Sequence, residues 1–493
     1  MFGKRISKSQ FMMGRQCLKR LWLYNYRRGL MPPVSPEQQH VFDEGHAIGV
    51  LGREYFPGGR LVDADFKHVR EAVQRTAELV EEGAGLIYEP AFVFDNVLVR
   101  CDILKRNPDG SWDLIEVKGS TEVKPEYLQD AAIQRYVLAG AGLEINRTAL
   151  LHINKAFVRR GPIDAQKFFL LADITAETAA LLAGTGDDLE RFMEALSSGS
   201  EPQVGIGQHC SMPYNCEFRG YCWKGLPEHS IYDIPRLSWE KKNTLKAMGI
   251  LRFRDVPDAF DLSDGQKAAL RVEKSGRTLL DKAKIAEFLG TIQYPLYHID
   301  FETIMPGLPL YDGSRPYQQV PFQVSLHVQA AAGAEPRHFE YLGDGRADPR
   351  PGLIGFLLAH IGPAGSLLAY NAAFEARRIE ELARDFPEHG PALQALPARF
   401  ADLMQPFLER AYVPAQCHGR FSLKKILPAL VPDMTYEGLP IGNGGDAQLA
   451  YYHILSGKLS DAETEALRQN LLIYCGQDTL AMVKILAHLY QVS

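Results

Sequence analysis

A chain of 493 residues is too long for one ordinary core, and 46% hydrophobic with 23% charged residues describes a folded, multidomain protein. A net charge of −6 excludes a nucleic-acid binder held by bulk charge alone. The richest apolar run, "LIGFLLAHIGPAGSLLAYNAAF", is broken by His360, Gly362, Pro363 and Gly365, and the start carries no secretory leader, so a soluble, cytoplasmic protein is expected.

The first 36 residues run against the net charge. Lys4, Arg5, Lys8, Arg15, Lys19, Arg20, Arg27 and Arg28 precede the first acid, Glu37, with Trp22, Tyr24 and Tyr26 among them. Basic plus aromatic suits a surface that tracks phosphates and stacks bases. It equally suits a solvated helix or a basic targeting segment. Downstream, "FDEGHAIGVLGREYF" is helix-like and carries His46, and "LIYEPAF" places Glu89 on a strand.

In "NVLVRCDILKRNPDGSWDLIEVKGST" two apolar-rich segments flank the turn signal "NPDG". A hairpin about Pro108 and Asp109 sets Asp102 opposite Glu116, with Cβ atoms about 5 Å apart, and Lys118 projects from the same face. Two carboxylates and a lysine there are costly unless a cation lies between the acids. With Mg²⁺ or Mn²⁺ the set makes sense. The acids hold the metal, the metal polarises a phosphate, and Lys118 orients the water and supports developing charge. A solvated sheet face with an ordinary salt bridge is the other reading of an isolated D…ExK. The following helix, "EYLQDAAIQRYVLAG", carries Gln134 and Tyr136.

Seven cysteines without a secretory leader argue against a disulfide framework. Cys101, Cys417 and Cys475 stand singly and read as small buried residues. "IGQHCSMPYNCEFRGYCW" instead spaces Cys210, Cys216 and Cys222 equally, an incomplete ligand set. Cys17 is the other cysteine in a polar, basic setting. Four thiolates suit an iron–sulfur cluster or a structural zinc, which could also use His209, and the spacing alone leaves the metal open.

The order helix His46, strand Glu89, Asp102, Glu116-x-Lys118 and a Gln134/Tyr136 helix resembles the RecB-type exonuclease branch of the PD-(D/E)XK nucleases. It is most similar to the iron–sulfur subgroup that includes the AddB-type and CRISPR-associated exonucleases. That resemblance covers residue 1 to about 226. It implies a [4Fe–4S] cluster on Cys17, Cys210, Cys216 and Cys222, a metal held by His46, Asp102 and Glu116, and catalytic roles for Lys118 and Gln134. Both cysteine gaps are five residues where the subgroup has a CxxC, and Gln134 and Tyr136 are two apart where it has Gln-x-x-x-Tyr.

Beyond residue 228 the sequence becomes helical in period, and "LKAMGILRFRDV" reads as a connector or as a helix–turn–helix gripping phosphates. "YPLYHIDFET" then opens a new core, a buried strand with Asp300 and Glu302 on one face. "PFQVSLHVQ", "RHFEYLG" and "GSLLAYN" read as neighbouring strands. A helix begins after Asn371 with Glu375 in its first turn, and "NLLIYCGQDTLAMVKILAHLY" is a helix with Tyr474 and Asp478 on one side. Four carboxylates suit two cations about 4 Å apart, with Tyr474 positioning the water. Singly, each has a structural reading, such as a helix N-terminal Glu favoured by the dipole. Asp402 is a further acid, structural or supporting.

This order resembles the DnaQ-like (DEDD) 3′–5′ exonucleases, in the subtype with a tyrosine four residues before the last Asp. Glu375 stands where that family has Asp. "FSLKKILPAL", between the middle and last motifs, fits its layout. An uncharacterised bacterial family joins such a domain to a RecB-like one, and this chain looks like a member.

The two resemblances imply an α/β, multidomain chain. Residues 1–228 form a restriction-endonuclease-like PD-(D/E)XK fold, 229–290 a helical connector and 291–493 an RNase H-like fold. They imply a metal-dependent nuclease that cleaves DNA phosphodiester bonds exonucleolytically, in repair or defence against foreign DNA. Its cofactors are a [4Fe–4S] cluster and Mg²⁺ or Mn²⁺; its partner is nucleic acid and not a membrane. The alternatives are an RNA-directed exonuclease, or a nucleic-acid-binding or redox-sensing scaffold with a degenerate C-terminal site.

Overall fold

The computed structural model describes residues 5–64 and 67–493, so Lys4 lies outside the described residues. By contact the chain divides into two α/β units, Met1–Gly225 with Pro306–Gln318, and Leu226–Met305 with Gln319–Ser493. Residues 229–290, expected as a connector, pack within the second unit. Among the described residues no helix is long and apolar enough to cross a membrane.

The first unit begins with helices α1 (Lys8–Gln16), α2 (Leu18–Tyr26) and α3 (Pro36–Tyr55). Ser7 and Gln10 cap α1 reciprocally, and Ser35 with Pro36 starts α3, so local chemistry fixes both starts. Six strands lie side by side in chain order: β1 (Arg60–Leu61), β2 (Leu86–Tyr88), β3 (Ile103–Arg106), β4 (Trp112–Lys118), β5 (Ile145–Ile153) and β6 (Phe169–Asp173). The β3–β4 hairpin turns where "NPDG" requires it, Gly110 supplying φ 93. Strands β4 and β5 are parallel and joined through helix α4 (Pro125–Gly140). Strand β4 is therefore central and covered on both faces. Leu114 packs with Leu104 and Ile133 on one side, and Ile115 and Val117 with Ile48 and Leu151 on the other. Gly52 lets α3 approach, since a Cβ there would lie 3.0 Å from Val117.

The second unit contains a five-stranded sheet, β7 (Leu296–Ile304), β8 (Val320–Gln329), β9 (Arg337–Leu342), β10 (Leu367–Ala369) and β11 (Phe400–Asp402), in the order β9-β8-β7-β10-β11. Strands β7 to β9 form an antiparallel meander, whereas β10 and β11 run parallel to β7. Helix α5 (Asp264–Ser275) precedes the sheet. It is followed by α6 (Pro349–His360), α7 (Ala373–Asp385), α8 (Leu423–Leu430), α9 (Gly444–Leu455) and the 32-residue α10 (Asp461–Val492). The segment "LKAMGILRFRDV", read as a connector or a helix–turn–helix, ends the helix Trp239–Ala247 and continues through left-handed Gly249 into a single 3-10 turn at Phe253–Asp255. Its side chains close a small core of Leu245, Phe253, Leu262 and Leu270.

Candidate active centres and a cysteine cluster

In the first unit the hairpin register pairs Ile103 with Ile115, which sets Asp102 opposite Glu116. Asp102 accepts from the Val117 backbone N–H at 2.6 Å. Glu116 is buried. Its Oε1 accepts from Lys118 at 2.7 Å and Lys8 at 2.9 Å, and its Oε2 from Gln134 at 2.8 Å. Lys118 also donates to Asp130 at 2.5 Å. Burial alone would raise Glu116, but the Lys118 and Lys8 ammonium groups hold it well below the carboxylate range. Burial, and then the Glu116 charge, pushes Asp102 up to about 7. The two acids are thus driven apart, a pattern found where titratable groups share a site.

The structure does not bring every expected residue here. His46 lies on the exposed side of α3, while Ile48 and Gly52 of that helix face the sheet. Tyr136 donates to Asp95 instead, at 3.1 Å. Glu89, by contrast, stays beside the centre: just past β2 in left-handed backbone, φ 54, it pairs with Arg53 at 2.9 Å, donates its N–H to the Asp102 carbonyl at 3.0 Å, and its charge adds to the rise of the Asp102 carboxyl. The basic N-terminal segment is largely engaged internally. Arg15 pairs with Asp188, Lys19 with Glu201 at 2.6 Å, and Arg20 with Glu217 at 2.8 Å, while Trp22 is buried. Lys8, Arg20, Lys118, Tyr127 and Tyr214 line a cavity of 330 Å³ beside the centre.

Cys17 caps the junction of α1 and α2, and Cys210, Cys216 and Cys222 each lie close enough to Cys17 for thiolate charges to repel. Burial pushes the Cys17, Cys216 and Cys222 thiols up, Cys216 to about 11. All four are free thiols. Among the described residues no three cysteine sulfurs lie within 4.8 Å of one another. Four thiolates on one tetrahedral ion would be about 3.8 Å apart. The set is therefore spread more widely than a single zinc requires.

In the second unit, oxygens of Asp300, Glu302 and Asp478 lie within 4.8 Å of one another. Strand β7 aims Asp300 and Glu302 to one face, and α10 delivers Asp478. At such separations each ionised pair repels by roughly 3–4 kcal/mol in an effective dielectric of about 20. Burial, then Asp478, Glu302 and Glu375, raises Asp300 well above its usual range. Burial also raises Glu302 and Glu375 to about 8, and Asp478 to about 6. Glu375 is 3% exposed and its Oε2 has no partner. Its helix follows Asn371, whose left-handed backbone (φ 76) is pinned by an N–H bond to Asp402 at 2.9 Å.

Tyr436 donates a hydrogen bond to Asp478, and Tyr474 stands one helical turn before it. The Lys424 ammonium lies 5.3 and 5.1 Å from their ring centres and draws down Glu302 and Asp478. In the sequence Lys8 stands out only as one of a basic run, and Asp130, Lys424 and Tyr436 are not singled out as site residues. Asp130 stood four residues before Gln134 on the same helix face, a readable signal; the other three had none beyond residue type.

Residues 297–422 match the family described as Domain of unknown function (DUF2779). Asp300, Glu302, Glu375 and Asp402 fall inside that match; Lys424 and Asp478 fall outside it. The chain is also 25% identical over 285 residues to "Uncharacterized protein UU173" of Ureaplasma parvum serovar 3, covering 53% of this chain. It spans 41% of that relative's length.

Proposed function

We propose that this chain is a metal-dependent nuclease with two centres, acting on DNA in a cytoplasmic setting. The first unit is read as a PD-(D/E)XK fold and the second as an RNase H-like fold. The observation that carries the reading is the carboxylate cluster Asp300, Glu302 and Asp478 with the buried Glu375 beside it, offset only in part by Lys424 near Glu302 and Asp478 and by Arg378 near Glu375. A buried set of like charges asks for cations, and the unpartnered Glu375 Oε2 is a ligand oxygen without a proton donor. These residues would hold Mg²⁺ or Mn²⁺, ions that supply Lewis acidity to a phosphodiester. Tyr436 orients Asp478, Tyr474 would position the water, and Lys424 offers a positive charge to a phosphate entering the site.

In the first unit Asp102 and Glu116 would hold an ion, with Lys118 oriented by Asp130 and Gln134 fixing Glu116. The adjoining cavity presents Lys8, Arg20 and Lys118 to phosphates and Tyr127 and Tyr214 to bases. Cys17, Cys210, Cys216 and Cys222 would carry a [4Fe–4S] cluster that links the ends of the unit.

The test is digestion of end-labelled single- and double-stranded DNA and RNA with Mg²⁺ or Mn²⁺. Lys118→Ala and Asp300→Ala should each remove one activity by a hundredfold or more, roughly the loss of a catalytic electrostatic contact. Glu375→Asp, which retracts a carboxylate by about 1.5 Å, should slow the second activity. Unchanged cleavage in the Lys118→Ala/Asp300→Ala double variant would reject the proposal.

A further inference from the structure

Apart from both centres, a third cluster lies within the second unit. His229, Glu273 and His418 bring ligand atoms within 4.8 Å of one another. They come from three distant segments: the start of the unit, the last turn of α5 and the loop before α8. His418 Nδ1 is 2.7 Å from Glu273 Oε2, and the two imidazoles stack with centroids 3.6 Å apart at 20°, so one half-exposed ring must turn out of the stack for both in-plane lone pairs to meet one ion. Both histidines hold left-handed backbone, φ 52 and 49. Non-glycine residues adopt that conformation only where the surroundings impose it, often at functional sites. The Glu273 side chain is 7% exposed, whereas each imidazole is 34% exposed and lines a cavity of 310 Å³.

We propose that His229, Glu273 and His418 bind a divalent transition-metal ion of the zinc class, with the fourth position open to that cavity. Two imidazoles and a carboxylate are borderline nitrogen and oxygen donors, which suit zinc, whereas Mg²⁺ and Ca²⁺ prefer oxygen sets. Three protein ligands beside a solvent-filled space match a zinc site that keeps one exchangeable position.

The ion would tie α5 to the loop that leads into α8. His418 stands four residues before Ser422, the N-cap of α8, whose first turn carries Lys424. That loop is already joined to the residues before β7 by Arg420 with Asp233 at 2.6 Å and by Leu279–Leu280 pairing with Tyr412–Val413. A metal there fixes the approach of Lys424 to the carboxylates without touching them.

Co²⁺ titration of the full-length protein, followed by visible absorption, tests the site. The difference between wild type and His418→Ala should show one equivalent of nitrogen/oxygen-ligated Co²⁺, free of thiolate charge-transfer absorption and still present in Asp300→Asn. Glu273→Gln keeps size and polarity and guards against misfolding. It should melt at the wild-type temperature without metal, yet weaken Co²⁺ at least ten- to hundredfold, the loss seen even for supporting partners of a ligand. It should also lose the Zn²⁺-dependent rise in melting temperature. A null difference spectrum, or Glu273→Gln binding Co²⁺ as tightly as wild type, would leave only a hydrogen-bonded triad and overturn the proposal.

Discussion

Lys8 and Lys424 each set an ammonium group among carboxylates, with different results. In the first centre Lys8, Lys118 and Gln134 together satisfy Glu116, so that acid is charged without a metal. In the second, Lys424 offsets Glu302 and Asp478 and Arg378 offsets Glu375, yet burial still pushes all four carboxyls upward. Asp102, Glu116 and Lys118 were legible because one hairpin's register brings them together. Lys8 was not, being 108 residues from Glu116 with no periodicity connecting them. A different buried group gives a residue-scale prediction. His327 lies against the His338 ring, centroids 4.3 Å apart, and 2.8 Å from Thr479 Oγ1. Burial, then His338 and His298, pushes it down to about 3. Unfolded histidine titrates near 6.5, so this contribution to stability is full above about pH 6.5 and is lost as pH falls towards 3. The upward-shifted carboxyls slope the opposite way, so the effect is read as a difference between proteins. In urea melts, His327→Gln should lose on the order of 3 kcal/mol less stability than wild type between pH 6.5 and pH 4. Parallel curves would contradict it.

Elements were legible where local chemistry marks them. The helix bearing Glu375 starts where expected, beyond Asn371, and β7 presents Asp300 and Glu302 together as period two requires. Helix α10 starts earlier than the apolar pattern alone suggests, at Asp461, because Ser460 and Glu463 form a capping box. Strand β10 is shorter than "GSLLAYN", since Asn371 turns into left-handed backbone to meet Asp402. Its entry rests on Gly365, at φ 89, where a Cβ would lie 1.9 Å from the Pro295 carbonyl oxygen. The neighbouring Ser366 carbonyl accepts from Tyr297 N–H at 2.9 Å, anchoring β10 beside β7. Gly365→Ala therefore meets both a backbone penalty and a backbone clash, and should destabilise the second unit by about 3 kcal/mol or more. A thermal or urea melt within about 0.5 kcal/mol of wild type would refute the clash.

For the whole molecule, the α/β, multidomain class follows from motif order and the change in texture along the chain. The return of Pro306–Gln318 to the first unit does not. Nothing in "PGLPLYDGSRPYQ" marks that it will donate from Gly307 N–H to Glu44 at 2.6 Å, or accept from Arg159 through the Pro309 carbonyl at 2.7 Å. Such long-range contacts leave no local period. The cysteine set makes the prediction at this scale. Protein purified without oxygen should be brown, with about four irons and labile sulfide per chain. Cys17→Ser should lose both and melt lower, because cluster binding is coupled to folding. Colourless wild-type protein holding one zinc on these cysteines would contradict it.

The central claim, that the buried carboxylates of the second unit are a divalent-cation site, is tested most directly by calorimetric titration of Mn²⁺ into the full-length protein. Wild type is compared with Asp300→Asn, which removes one ligand charge and keeps the side chain's size. Wild type should bind Mn²⁺ at this site, and Asp300→Asn should lose that binding or weaken it by at least about tenfold, a change of 1.4 kcal/mol. Superimposable isotherms for the two proteins would contradict it.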